Sequence, residues 1–150
     1  MNNHPYLRAY MAGIAVPTPI LLVALTLFSI ARFVYNVPIP VERVIIFPMA
    51  IIPNLFGVWN MLHLASRSHT HLPLGIHGAI LPFILGPAGF LLGRRLGFLK
   101  VTGHGFIYFD MVEIHYVYVA LAFTAVLIVY YLIWKYLIGS FNRVAGIAVQ

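Results

Sequence analysis

The stretch IHYVYVALAFTAVLIVYYLIW, from Ile114 to Trp134, decides the fold: none of its positions carries Asp, Glu, Lys or Arg. It reaches the roughly 20 apolar residues that an α-helix needs to cross about 30 Å of hydrocarbon. Three further uncharged runs answer to the same description, Ala9 to Ala31, Val44 to Ser66 and Ser68 to Gly93. The whole chain of 150 residues is 62% hydrophobic and 8% charged, against about 25% charged residues in a soluble domain. So few charges cannot coat a water-facing surface, and the solvent that fits this chain is lipid.

These runs predict an all-α fold, one domain of four transmembrane helices with short loops. The expected helices cover roughly 10–33, 44–65, 73–93 and 110–138. Pro17, Pro19, Pro48, Pro53, Pro82 and Pro87 fall inside the first three. Each removes an N–H and clashes one turn back, so those helices should kink. The first run is too long for the apolar region of a signal peptide, about 7–15 residues, and carries two prolines, so it is expected to be retained. Tyr116, Tyr118, Tyr130, Tyr131, Trp134 and Tyr136 cluster near the ends of the fourth helix, as an aromatic belt would. Gly89, Gly93 and Gly97 form two overlapping G-x-x-x-G units, a spacing that lets helix backbones pack closely.

Four crossings put both termini on one side, with Arg8, Arg67, Lys135, Arg143 and the histidines His4, His63, His69, His71 and His77. The other side takes Arg32, Arg43, Arg94, Arg95 and Lys100 with all three acids, Glu42, Asp110 and Glu113, and with His104 and His115. Positive charge favours the cytoplasm. The density of Arg94, Arg95 and Lys100 turns that end inward and both termini outward, in a bacterial-type inner membrane. The net charge of +6 fringes apolar runs and suits anionic headgroups rather than nucleic acid.

Two clusters carry chemistry. HLASRSHTHLPLGIH, from His63 to His77, spaces four histidines symmetrically about a helical hairpin. Neutral imidazoles bind Zn, Cu or Ni, which makes His63, His69, His71 and His77 a candidate transition-metal set. His63 and His77, one near the end of a helix and one near the start of the next, are a candidate axial pair for haem b in electron transfer. The same cluster, titrating near pH 6.5, is a candidate pH-sensitive lip. Interfacial histidines without a ligand, bonded to water, lipid phosphate and loop carbonyls, are the reading preferred to all three. At the entrance of helix four, Asp110 and Glu113 face Arg94 and Arg95, an expected ion-pair network holding the loop to the helix.

The chain has no cysteine, which excludes disulfides and thiolate chemistry. It has no H-E-x-x-H pair, no phosphate loop and no Ser-His-Asp set, so no catalytic residue is expected. No helix carries a charge near its middle, where ion pumps usually place one. The expected function is therefore non-enzymatic: an accessory or structural subunit of a larger membrane assembly, or a homo-oligomer. A haem- or metal-binding electron-transfer protein is the alternative. A small transporter or channel, built on the proline-broken helices, is third.

Overall fold

The computed structural model describes residues 4–38, 40–108, 110 and 112–147 of the chain. Six α-helices account for most of it: α1 (Pro5–Ile14), α2 (Pro17–Phe33), α3 (Phe47–Ser66), α4 (Leu74–Arg95), α5 (Tyr116–Leu132) and α6 (Gly139–Val144). Three helical stretches among the described residues are long and apolar enough to cross a membrane, Pro5–Phe33, Leu74–Arg95 and Tyr116–Val144. The fourth expected span, α3, has the length, but Pro53, Asn54, Asn60 and His63 dilute its hydropathy and it is not among them.

The purely α-helical expectation is corrected by a three-stranded antiparallel sheet. Its strands β1 (Leu99–Val101), β2 (Gly105–Tyr108) and β3 (Val112–His115) lie in the order β1-β2-β3. Helix four therefore begins at Tyr116, six residues after the expected Asp110. The reason is local. Val112, Glu113, Ile114 and His115 alternate apolar with polar residues, the strand period. Asp110 adopts φ +56°, a left-handed conformation that short polar side chains tolerate and helices do not contain.

The chain divides into two compact units, residues 1–74 with 136–150, and residues 75–135. In the first unit, helix one starts at Pro5, earlier than expected, because proline is pre-organised for the first helical position. It breaks at Ala15–Val16, just ahead of Pro17. The Thr18 hydroxyl donates to the Ile14 carbonyl at 2.7 Å and so satisfies an acceptor next to the break. A π-helical turn, Glu42–Ile46, precedes α3; Pro48 cannot donate to the carbonyl one turn back, and the backbone widens ahead of it. Arg32, in the last turn of α2, donates to Glu42 at 2.8 Å. The Glu42 carboxyl is held below its ordinary value by its own backbone N–H and by Arg32.

α1 packs on α3 and on α6. The α1–α3 crossing is set by two glycines. A Cβ on Gly13 would stand 2.6 Å from the Phe56 carbonyl oxygen and 2.7 Å from the Gly57 Cα, and one on Gly57 would run into the ring of Tyr10. The backbones thus meet without side chains between them, the close approach that small residues permit in membrane helices. Ala9, Ala12, Val16, Val41, Ile45, Phe56, Leu74, Ile138 and Ile147 are the buried apolar residues of this unit.

In the second unit, Phe90, Phe106 and Tyr116 form a ladder of edge-on rings at 5.6 and 5.2 Å that ties α4, β2 and the start of α5 together. The Thr102 hydroxyl accepts from the Gly105 N–H at 3.0 Å, closing the β1–β2 turn. The Tyr116 hydroxyl donates to the Thr102 carbonyl at 2.8 Å. A Cβ on Gly105 would meet the Ile114 carbonyl oxygen at 2.1 Å, so β2 and β3 come together only over a glycine. Phe83 and Phe123 add an edge-on pair between α4 and α5 at 5.2 Å.

Candidate functional site

The histidine segment resolves into two kinds of residue. His63 and His77 are buried, at 7% and 8% exposure, whereas His69 and His71 are exposed. After α3 the chain folds back on its own end: the N–H groups of His69 and Thr70 both donate to the Ser66 carbonyl, at 2.9 and 2.8 Å, and the Thr70 hydroxyl adds a third bond there at 3.0 Å. His69 and His71 ride on this turn. His63 belongs to the first unit and His77 to the second. Among the described residues no group of three or more His, Asp or Glu side chains is placed to hold a metal ion.

His77 lies edge-on to Trp134, with ring centroids 6.0 Å apart and planes at 70°. Trp134 is fully buried in a π-helical turn, Ile133–Ile138. It sits over Gly78, whose missing Cβ would stand 1.9 Å from the indole Cγ. One turn away the missing Cβ of Gly75 would stand 2.7 Å from the Tyr131 ring. Two glycines on α4 thus form the seat for two large aromatic residues, Tyr131 and Trp134.

The other polar cluster lies in the first unit. Asn60, three residues before His63 and on the same face of α3, is 1% exposed, and Asn142 of α6 is 3% exposed. Their carboxamides bond to each other reciprocally: Asn60 Nδ2 donates to Asn142 Oδ1 at 2.8 Å and Asn142 Nδ2 donates to Asn60 Oδ1 at 3.1 Å. Asn60 Nδ2 also donates to the Ala9 carbonyl oxygen of α1 at 2.7 Å. Both Asn60 N–H groups and its oxygen are therefore engaged, and α1, α3 and α6 meet at one neutral node. Asn54, a turn and a half earlier, accepts from the Tyr10 hydroxyl and donates to the Ala50 carbonyl at 2.9 Å. Neutral amides neither give nor take protons readily, so this node orients helices and carries no acid–base step.

The expected network of Arg94, Arg95, Asp110 and Glu113 is arranged differently. Asp110, in the turn after β2, pairs with Lys100 of β1 at 2.7 Å. Glu113 accepts from the Thr102 hydroxyl at 3.1 Å. Arg94 lies over the Phe90 ring, 5.8 Å from its centroid. The glycine stripe also takes different roles. Gly89 has nothing within 4 Å of where a Cβ would stand, whereas a Cβ on Gly93 would touch the Phe98 ring at 3.0 Å. Gly97 lies beyond the helix with φ +77°. Its N–H donates to the Arg94 carbonyl at 3.2 Å, and that of Phe98 donates to the Gly93 carbonyl at 3.1 Å. This is the Schellman end of α4, with Phe98 folded back on Gly93. Gly146, φ +71°, ends α6 in the same way, through bonds to Arg143 and from Ile147 to Asn142.

Sequence reading passed over Gly13, Gly57, Gly78, Trp134 as a core residue, and Asn142. Asn142 had one usable signal, an amide close to an apolar span with a second amide, Asn60, available to it. No protein-family model, curated protein or solved structure shows a significant match to this chain.

Proposed function

We propose that this chain is a small multi-pass membrane protein with a structural role, packing on larger membrane subunits or on copies of itself and catalysing no reaction. One observation carries the reading. α5 is apolar around its whole circumference, and none of its residues from Tyr116 to Leu132 is buried. A helix apolar on all sides needs an apolar surround. Its single hydroxyl side chain away from the ends, Thr124, donates to the Ala120 carbonyl at 3.0 Å, which leaves α5 fit for lipid or for a neighbouring helix.

α3 serves as a fourth crossing in this reading. Two of the residues that lower its hydropathy are Asn54 and Asn60, whose amides bond to the Ala50 and Ala9 carbonyls. An amide satisfied inside the protein does not have to be solvated by lipid. Four crossings put both termini on one side, and Arg94, Arg95 and Lys100 at the opposite end favour a bacterial-type inner membrane with the termini outside. Because the chain has no cysteine, single cysteines report sidedness directly. A membrane-impermeant maleimide should label His4→Cys in intact cells and leave Thr102→Cys unlabelled until the cells are opened. Equal labelling of both, or the reverse pattern, removes the orientation.

The structural role is tested by mass. In mild detergent the protein should run as a defined dimer or larger assembly, or bring a second membrane protein with it in fixed ratio. A strictly monomeric chain with no stoichiometric companion overturns the reading.

A further inference from the structure

The sheet of the second unit has two unlike faces. Residues paired across an antiparallel ladder point to the same side, and neighbours along a strand point to opposite sides. The registers Leu99↔Tyr108↔Val112 and Val101↔Phe106↔Ile114 therefore gather six apolar or aromatic residues on one face. The other face takes Lys100, Ile107 and Glu113. There Lys100 pairs with Asp110 at 2.7 Å, and Glu113 accepts from the Thr102 hydroxyl at 3.1 Å. The apolar face is turned toward the helix ends. The Phe106 ring lies edge-on to Phe90 of α4 and to Tyr116 of α5, at 5.6 and 5.2 Å. A Cβ on Gly93 of α4 would stand 3.1 Å from the Leu99 Cβ. Past these two anchors the face opens outward: Val101, Val112 and Ile114 are 46%, 55% and 38% exposed.

We propose that this sheet is a membrane-surface element, its apolar face bedded in the headgroup–acyl boundary of the leaflet where α4 ends and α5 begins, and its polar face in water. The inference rests on the membrane reading of α4 and α5 given above. Three features select lipid as the occupant. Only Leu96, Gly97 and Phe98 separate α4 from β1, and β3 runs directly into α5. Both flanking helical stretches are long and apolar enough to cross a membrane, so the chain itself holds the sheet where hydrocarbon gives way to headgroups. β1 and β3 are the edge strands, and edge strands present a row of outward backbone N–H and C=O groups. Hydrocarbon cannot solvate such groups, whereas the hydrated boundary can, which sets the depth. Finally, three strands of three or four residues outline roughly 200 Å², well short of the about 800 Å² per partner that a stable protein interface buries.

The test places single cysteines on the two faces of the full chain, which has none of its own. Val112 and Glu113 are adjacent on β3 and both exposed, so a sheet surrounded by water treats them alike. The variants Val112→Cys and Glu113→Cys are reconstituted in vesicles of phosphatidylcholine and phosphatidylglycerol. A membrane-impermeant maleimide should react at Val112→Cys about tenfold more slowly than at Glu113→Cys, because an apolar surround disfavours the thiolate that reacts. A nitrobenzoxadiazole label on each cysteine is then exposed to phosphatidylcholine carrying a nitroxide near the top of its acyl chain. Quenching at Val112→Cys should exceed that at Glu113→Cys by about threefold, as a face bedded in the boundary requires. Equal rates with equal quenching overturn the proposal. Slow reaction at Val112→Cys without nitroxide quenching overturns it too, since a second copy of the chain or another protein then covers the face. Should Glu113→Cys lose its helical circular dichroism, Val101→Cys and Lys100→Cys on β1 make the same comparison and decide. Carbonate washing of membranes separates the two failures. A chain released by carbonate defeats the membrane reading itself, and a chain that stays while its two faces react alike defeats the placement of the sheet alone.

Discussion

Gly78→Ala is expected to destabilise the protein by about 2 kcal/mol or more, although alanine is the better helix former. The helical gain is about 1 kcal/mol at most. Against it, the new methyl carbon would lie 1.9 Å from Trp134 Cγ, 2.2 Å from Cδ1 and 2.3 Å from Cβ. These atoms are at the root of a fully buried side chain, so no rotation of a flexible tip relieves the clash. Overpacking of this kind costs about 1–3 kcal/mol, sometimes more, and the helix ends must shift. Melting in detergent should fall by roughly 4–8 °C, the shift that about 2 kcal/mol produces at this chain length. The tryptophan fluorescence should change with it, since His77 rests edge-on to the same indole. A melting temperature that rises means that Trp134 does not sit on Gly78.

The second large effect belongs to the amide node. Asn60→Leu keeps the branched shape but removes the acceptor of Asn142 Nδ2 and the donor to Asn142 Oδ1 and to the Ala9 carbonyl. A buried polar group left without its partner costs about 1–3 kcal/mol, and Asn142, at 3% exposure, has little access to a substitute. The expected loss is about 2 kcal/mol for Asn60→Leu and about the same for Asn142→Leu. The double variant should lose no more than the worse single one, because two leucines strand no amide. The resulting coupling is about 2 kcal/mol, at the upper end of the values for polar pairs in membrane helices. Stability of the four proteins in a denaturation series measures it, and strictly additive losses would show that the two amides do not meet.

What could be read beforehand follows from how local each signal is. Long uncharged runs report their own solvent, so three long apolar helices were legible. The proline at 17 was legible as a disruption, and it is where α1 gives way to α2. The strands were not foreseen, although Val112-Glu-Ile-His115 alternates and glycines flank His104, because the long apolar helix directly downstream drew its expected start back over them. The glycine stripe was misleading for a physical reason: Gly93 and Gly97 finish a helix, and only their i, i+4 spacing resembles a packing face. Gly13 with Gly57, and Asn60 with Asn142, were not legible as pairs. Each is set by which helices cross and at what height, and spacing along one helix does not contain that. For the histidines, sequence could place four of them near one hairpin. It could not say that the helical two would be buried and the loop two exposed, because burial depends on neighbours such as Trp134.

The first unit is assembled from two stretches separated by residues 75–135. During synthesis Ala9 and Asn60 emerge long before Asn142, so two members of the node wait for the third while an entire second unit is being made. Until α6 is laid down, Asn60 has the Ala9 carbonyl but not its reciprocal amide. The nascent chain thus passes through a stage in which α1 and α3 have been made but α6 has not yet closed the node. In that interval the core of the first unit is unfinished, and the arrival of residues 136–147 completes it.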